Sequence, residues 1–144
     1  MAEAQTGKKA AGPIQRTAKN DRSSTAWAVR AADGPLMFTG QVFATDVARD
    51  ARAQAEQALD HLGAQLAKAG GDLQRVLRLN AYVADDSATP TVDAVIAARF
   101  AGTPPAVTLV RTPLALKGAL VGFDAIAAVT RAPASVEILA DGAA

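Results

Sequence analysis

The sequence predicts an α+β domain with the order β-β-α-β-α-β-β, in which two helices cover one face of a mixed sheet. Three observations carry this. Two stretches repeat apolar residues every three to four positions, as an amphipathic helix does. Five stretches are apolar throughout or alternate with period two, as strands do. The helices fall between strands, so the chain must cross over, and part of the sheet must be parallel.

The elements follow in order. Residues 1–22 lack periodicity and are rich in Ala, Gly, Lys and Gln, which reads as a mobile basic tail. A basic arm for RNA is the alternative, but no aromatics are interleaved to stack bases. Ala26–Arg30 is a short strand, followed by turn residues at Ala31-Ala-Asp-Gly34. Leu36–Phe43 is a second strand. A helix runs from about Asp50 to Ala69 on the stripe Ala51, Ala55, Ala58, Leu59, Leu62, Leu66 and Ala69, and Gly70-Gly71 stop it. Val76–Val83 alternates: Leu77, Leu79, Ala81 and Val83 point one way, and Val76, Arg78, Asn80 and Tyr82 the other. The second helix spans about Pro90 to Phe100, with Val92, Val95, Ile96 and Phe100 on one face. Ala106–Arg111 and Ala119–Val129 close the sheet, and Val136–Leu139 is a candidate for a short extra strand. The domain is thus expected over residues 23–131, with 132–144 as a C-terminal extension.

Composition narrows the chemistry. The 144 residues include 36 alanines, no cysteine, and a single His61, Trp27 and Tyr82. Disulfides, thiolate nucleophiles and cysteine-ligated zinc are therefore excluded. One histidine excludes any site that needs two imidazoles, and no G-x-S-x-G is present. No metal or organic cofactor is expected. Lack of cysteine fits a reducing compartment, and the expected location is the cytoplasm. No apolar run approaches the ~20 residues of a membrane span, and no apolar stretch after the first lysines marks a secretory signal. Net charge is +1, with +4 in residues 1–30 and −3 in the rest. Nucleic acid is not an expected partner, since no basic stripe lies outside the tail.

Two helices cover only one sheet face, yet the last two strands are apolar on both. An apolar face without helices needs another partner. The simplest is a second copy of the chain, so a homo-oligomer is expected.

Several motifs now form an ordered set: Thr39-Gly-Gln41 at a strand end, Gln54 and Gln57 on a helix closing at Ala67-Lys-Ala-Gly70, Val76–Val83 before an acidic loop, Pro104-Pro-Ala106 entering a strand, Lys117-Gly-Ala-Leu-Val121, and Ala125-Ile-Ala127. In this order they resemble the YjgF/RidA family of reactive-intermediate deaminases over roughly Thr25 to Arg131. The resemblance implies a chorismate-mutase-like fold, three subunits forming a barrel with helices outside, and small-molecule clefts between subunits. It implies cofactor-free hydrolysis of enamines or imines to a keto acid and ammonia. An arginine after the Pro-Ala pair would clamp the substrate carboxylate, and a glutamate in the last strand would position water.

The sequence departs from this pattern at both places. The arginine position is Val107, and the glutamate position is Gly122. A guanidinium–carboxylate pair fixes orientation as well as charge, and valine offers neither. Standard imine deaminase activity is therefore not expected. Asp124, two residues beyond Gly122 and on the same face, is the remaining candidate for a general base, with a structural salt bridge as the alternative. The resemblance places Thr39, Gly40, Asp93, Val107, Thr108, Leu109 and Gly122 around the ligand cleft. For Asp93 the alternative is an exposed acid near a helix start. For Thr39 and Gly40 it is ordinary strand packing. Arg111 shares the face of Val107 and reads as a strand-end arginine in solvent or in an ion pair. Arg78 and Asn80 read as a polar network between subunits. Trp27 reads as core or interface packing, and His61 as a surface residue. Three functional readings stay open: a divergent small-molecule enzyme, which includes a deaminase with a non-standard site; a ligand-binding or regulatory protein; and a structural trimer.

Overall fold

A computed structural model describes residues 14–18, 25–31 and 33–132. The elements are β1 (Ile14–Ala18), β2 (Ala26–Ala31), β3 (Leu36–Phe38), β4 (Val42–Phe43), α1 (Ala51–Ala67), β5 (Val76–Val83), α2 (Thr89–Arg99), β6 (Ala106–Arg111) and β7 (Val121–Ala128), with single 3-10 turns at Leu73–Arg75 and Asp86–Ala88. One mixed sheet runs β1-β2-β6-β5-β7-β3, and β4 also pairs with β7. The β2/β6 and β5/β6 pairs are parallel, and the others are antiparallel. The expected order of five strands and two helices is present, with three changes.

First, Ile14–Ala18 lies within the stretch read as a tail but forms β1 on β2. Its pattern is polar, so no hydrophobic period announces it. It is held instead by the backbone ladder and by Arg16, whose guanidinium donates to the carbonyls of Gln74 at 2.6 Å and of Val76 and Pro104 at 3.2 Å each. Second, the strand expected over Leu36–Phe43 is broken into β3 and β4. Between them the Thr39 side chain turns back onto β7: Thr39 N donates to Ala125 O, and Ala125 N donates to Thr39 Oγ1, both at 2.9 Å. Third, β5 has a register shift against β7 between Val76 and Arg78. A bulge inserts one residue and reverses the alternation there. Val76 is consequently buried in the core beside Leu79, and Leu77 is only half-buried. The proposed strand at Val136–Leu139 lies outside the described residues.

The core forms where the two helices meet the sheet. Leu59, Leu62 and Leu66 of α1 and Val92, Val95 and Ile96 of α2 pack on Leu79, Ala81, Val83, Val121 and Phe123. Burying such side chains contributes roughly 1.5–3 kcal/mol each. Asp50 caps α1, accepting from Ala53 N at 2.9 Å. Gly70 ends it at φ +74, where a β-carbon would lie 2.1 Å from Thr130 Oγ1. Gln54 is fully buried with its amide satisfied: Nε2 donates to Val47 O and Arg49 O at 3.1 and 2.8 Å, and Oε1 accepts from Leu120 N at 2.9 Å. It ties the loop before α1 to the entrance of β7.

Candidate functional site

The register decides which site positions share a face. In β5, Leu79, Ala81 and Val83 face the helices. Their partners in β6 are Val107, Leu109 and Arg111. Val107 and Leu109 accordingly pack against the core from the helix side. Arg78, Asn80 and Tyr82 face away from the helices, and their partners are Ala106, Thr108 and Val110 in β6, and Ile126, Asp124 and Gly122 in β7. Val107 and Gly122 therefore lie on opposite faces of the sheet. They are offset by three residues along β5 and by two strand spacings, about 10 Å in each direction. No single copy brings them into one pocket.

Gly122 is buried by a specific neighbour. It pairs with Phe43 across β4/β7, and the Phe43 ring lies on it. A β-carbon at position 122 would meet Phe43 Cε1 at 2.8 Å, Cδ1 at 3.0 Å and Gln41 Cγ at 3.3 Å. The space into which a glutamate would project is thus filled by an aromatic ring. Sequence reasoning missed Phe43 because nothing within β4 shows which β7 residue it opposes.

A polar network crosses the open face. Arg78 donates from Nη2 to Thr108 Oγ1 at 2.8 Å and from Nε to Asn80 Oδ1 at 3.2 Å. Asn80 Nδ2 donates to Asp124 Oδ1 at 2.7 Å, and Tyr82 OH donates to Asp124 Oδ2 at 2.6 Å. These partners of Asp124 are neutral hydroxyl and amide donors, not the cation of the expected salt bridge. The hydrogen bond to the carboxylate, with burial and the nearby negative charge, holds the proton on Tyr82 and raises its pKa above the usual phenol value. Asp124 has one donor on each oxygen, so it is well placed as an anchor for Tyr82 and Asn80. Around the network stand Phe38, 69% exposed, Leu36, 46%, and Val110, 41%.

The other predicted positions scatter. Thr39 is committed to its bond with Ala125 N. Gly40 lines a groove at the sheet edge. Asp93 is exposed on α2. Trp27 is 69% exposed and so is not a core residue of the single chain. Arg111 makes an exposed ion pair with Asp86 at 3.6 Å. His61 is half-buried rather than a plain surface residue: its Nδ1 lies 2.8 Å from Phe43 O. A carbonyl only accepts, so Nδ1 carries the proton and Nε2 is the ring's remaining polar atom. Among the described residues no group of three or more His, Asp or Glu side chains is arranged to hold a metal ion, and no helix is long and apolar enough to cross a membrane.

The fold and its two altered positions define a class: a small mixed-sheet domain with both helices on one face and its polar residues gathered on the other. Residues 21–129 match the family model described as endoribonuclease L-PSP, and the chain belongs to that family. Solved structures agree. A YjgF-family protein from Neisseria meningitidis is 25% identical, with a TM-score of 0.62 over 84% of this chain and 98% of that one. A member of the YjgF/YER057c/UK114 family from Mycobacterium tuberculosis is 28% identical, with a TM-score of 0.62 over 81% of this chain and all of the other. A Rid-family protein of unknown function from Yersinia pestis superimposes with a TM-score of 0.70 at 24% identity, covering 81% and 98%. No curated protein matches the chain.

Proposed function

We propose that this protein assembles as a homotrimer with small-molecule clefts between its copies, and that it does not hydrolyse the imines of ordinary amino acids. The observation that carries the second half is the Phe43 ring on Gly122, together with an uncharged Val107. The acid position is filled and the cationic position is apolar, so a substrate carboxylate would meet neither a guanidinium nor an activated water. Leaving such a charge unpaired in a cleft costs several kcal/mol. The ligand is accordingly a small molecule of more apolar character, and the protein either converts it by other groups or only binds it.

Self-association is supported by the exposed Leu36, Phe38 and Val110 on the face without helices. The polar groups in its middle already bond one another, so covering the face leaves them paired. Positions 107 and 122 lie on opposite faces, which also supports sites built from more than one copy. Two measurements test the proposal. Sedimentation should show a species of three 14.7 kDa chains; a stable monomer would refute the assembly. Imines generated in situ by an amino-acid oxidase should decay to keto acid at the uncatalysed rate; clear acceleration would refute the chemical half.

A further inference from the structure

Between the outer edge of β4 and the side of α1 runs a groove of about 630 Å³, within the ~300–1,000 Å³ typical of small-ligand sites. The register shows which backbone groups of β4 face it. Ala84 N donates to Leu120 O, so alternate residues of β7, among them Gly122 and Asp124, direct their N–H and C=O to β5. Gly122 is therefore bonded to Tyr82 and not to Phe43, which sits opposite it across β4/β7. The N–H and C=O of Phe43 both point outward from the sheet edge, toward the groove. The Phe43 ring takes no part here, since it lies over Gly122 on the face away from the helices.

Most polar groups along this edge are already engaged. Phe43 O accepts from His61 Nδ1 at 2.8 Å, and Thr45 N and Asp46 N donate to Gln57 Oε1 at 2.7 and 3.1 Å. Two groups are left over. Phe43 N–H meets no acceptor among the described residues. His61 Nε2 meets no donor among them, and it is not sealed from solvent, because the one buried side-chain polar atom there without a partner is Thr103 Oγ1. In the tautomer set by Phe43 O, Nε2 is an acceptor. Both residues line the groove, with the exposed Ala64 and the 41%-exposed Leu116 as apolar walls and no acidic residue beside them.

We infer that this groove binds a small uncharged molecule bearing a primary or secondary amide. The amide carbonyl accepts from Phe43 N–H, the amide N–H donates to His61 Nε2, and an apolar body rests against Ala64 and Leu116. The two protein groups select this class. A fixed donor near a fixed acceptor asks for an acceptor and a donor on one ligand, and an amide carries both in one plane. A carboxylate has no proton to give Nε2, and the bare nitrogen has none to give it. Every group belongs to one chain, so the inference goes beyond the assembly proposed for the open face and does not depend on it.

The lone histidine makes the test direct, since every imidazole signal of the untagged chain belongs to His61. Long-range proton–nitrogen NMR of the full chain should show Nδ1 protonated and Nε2 bare; the opposite tautomer overturns the inference. Benzamide should then move the Nε2 resonance in a saturable titration. N,N-dimethylbenzamide keeps the carbonyl and loses the donor, and should bind about tenfold more weakly, as the loss of one hydrogen bond implies. Ala64→Trp fills the groove from an exposed helix position and should abolish the benzamide shift while the Nδ1–H tautomer persists. No movement with benzamide, equal binding of the two amides, or benzamide binding unchanged in Ala64→Trp each overturns the inference. Tighter binding of benzoate than of benzamide also overturns it, assigning the groove to an anion.

Discussion

Replacing Gly122 with alanine tests whether Phe43 really occupies the acid position. The added carbon would sit 2.8 Å from Phe43 Cε1 and 3.0 Å from Cδ1, against about 3.5–4.0 Å for an ordinary carbon contact. An overlap of about 0.7 Å forces the ring off its rotamer or the strands apart. Overpacking of this kind costs about 1–3 kcal/mol. In a domain of this size each kcal/mol lowers Tm by roughly 2–8 °C, which thermal unfolding resolves. The informative comparison is a double-mutant cycle. Phe43→Ala should cost stability alone, yet Gly122→Ala should cost little in the Phe43→Ala background, giving a coupling of about 1 kcal/mol or more. The same geometry governs chemistry. Val107→Arg with Gly122→Glu should not gain imine hydrolysis while Phe43 is present, whereas adding Phe43→Ala should permit it. Equal penalties for Gly122→Ala with and without Phe43 would refute the reasoning.

Two further outcomes are expected. Gln54→Leu leaves Leu120 N and the carbonyls of Val47 and Arg49 without their side-chain partner, and should cost about 2–4 kcal/mol in urea unfolding; a loss below about 0.5 kcal/mol would contradict the bonding described. The lone Tyr82 gives an unambiguous phenolate absorbance titration: its midpoint should lie above that of free tyrosine and fall toward it in Asp124→Ala. Because the folded value is the raised one, the stability this bond contributes is fully present below the unfolded pKa of about 10 and is lost as pH rises through the folded pKa. A midpoint unmoved by Asp124→Ala would dismiss the bond.

The central fold was legible because its signals are local. The α1 and α2 stripes and the alternation of Leu79, Ala81 and Val83 each lie within one segment. The misreadings concern relations between segments. β1 has no apolar period and exists through its pairing with β2 and the reach of Arg16 to three carbonyls. The face taken by Val76 was reversed by a bulge that is defined only against β7. At the site, the departures at Val107 and Gly122 were visible by comparing motifs. Their placement on opposite faces required two registers through β5, one parallel and one antiparallel. Phe43 and His61 carried no signal because their importance rests on what they touch.

β1 also bears on where this protein can be cut. The boundary drawn by kinship starts at residue 21, so a fragment trimmed to it would discard Ile14–Ala18. The sheet would then end on β2, whose backbone would be bare to any passing strand, and the carbonyls of Gln74, Val76 and Pro104 would lose their shared donor. The evolutionary unit and the folding unit differ here by one rim strand. A laboratory fragment faithful to the first should prove sticky and less stable than the whole.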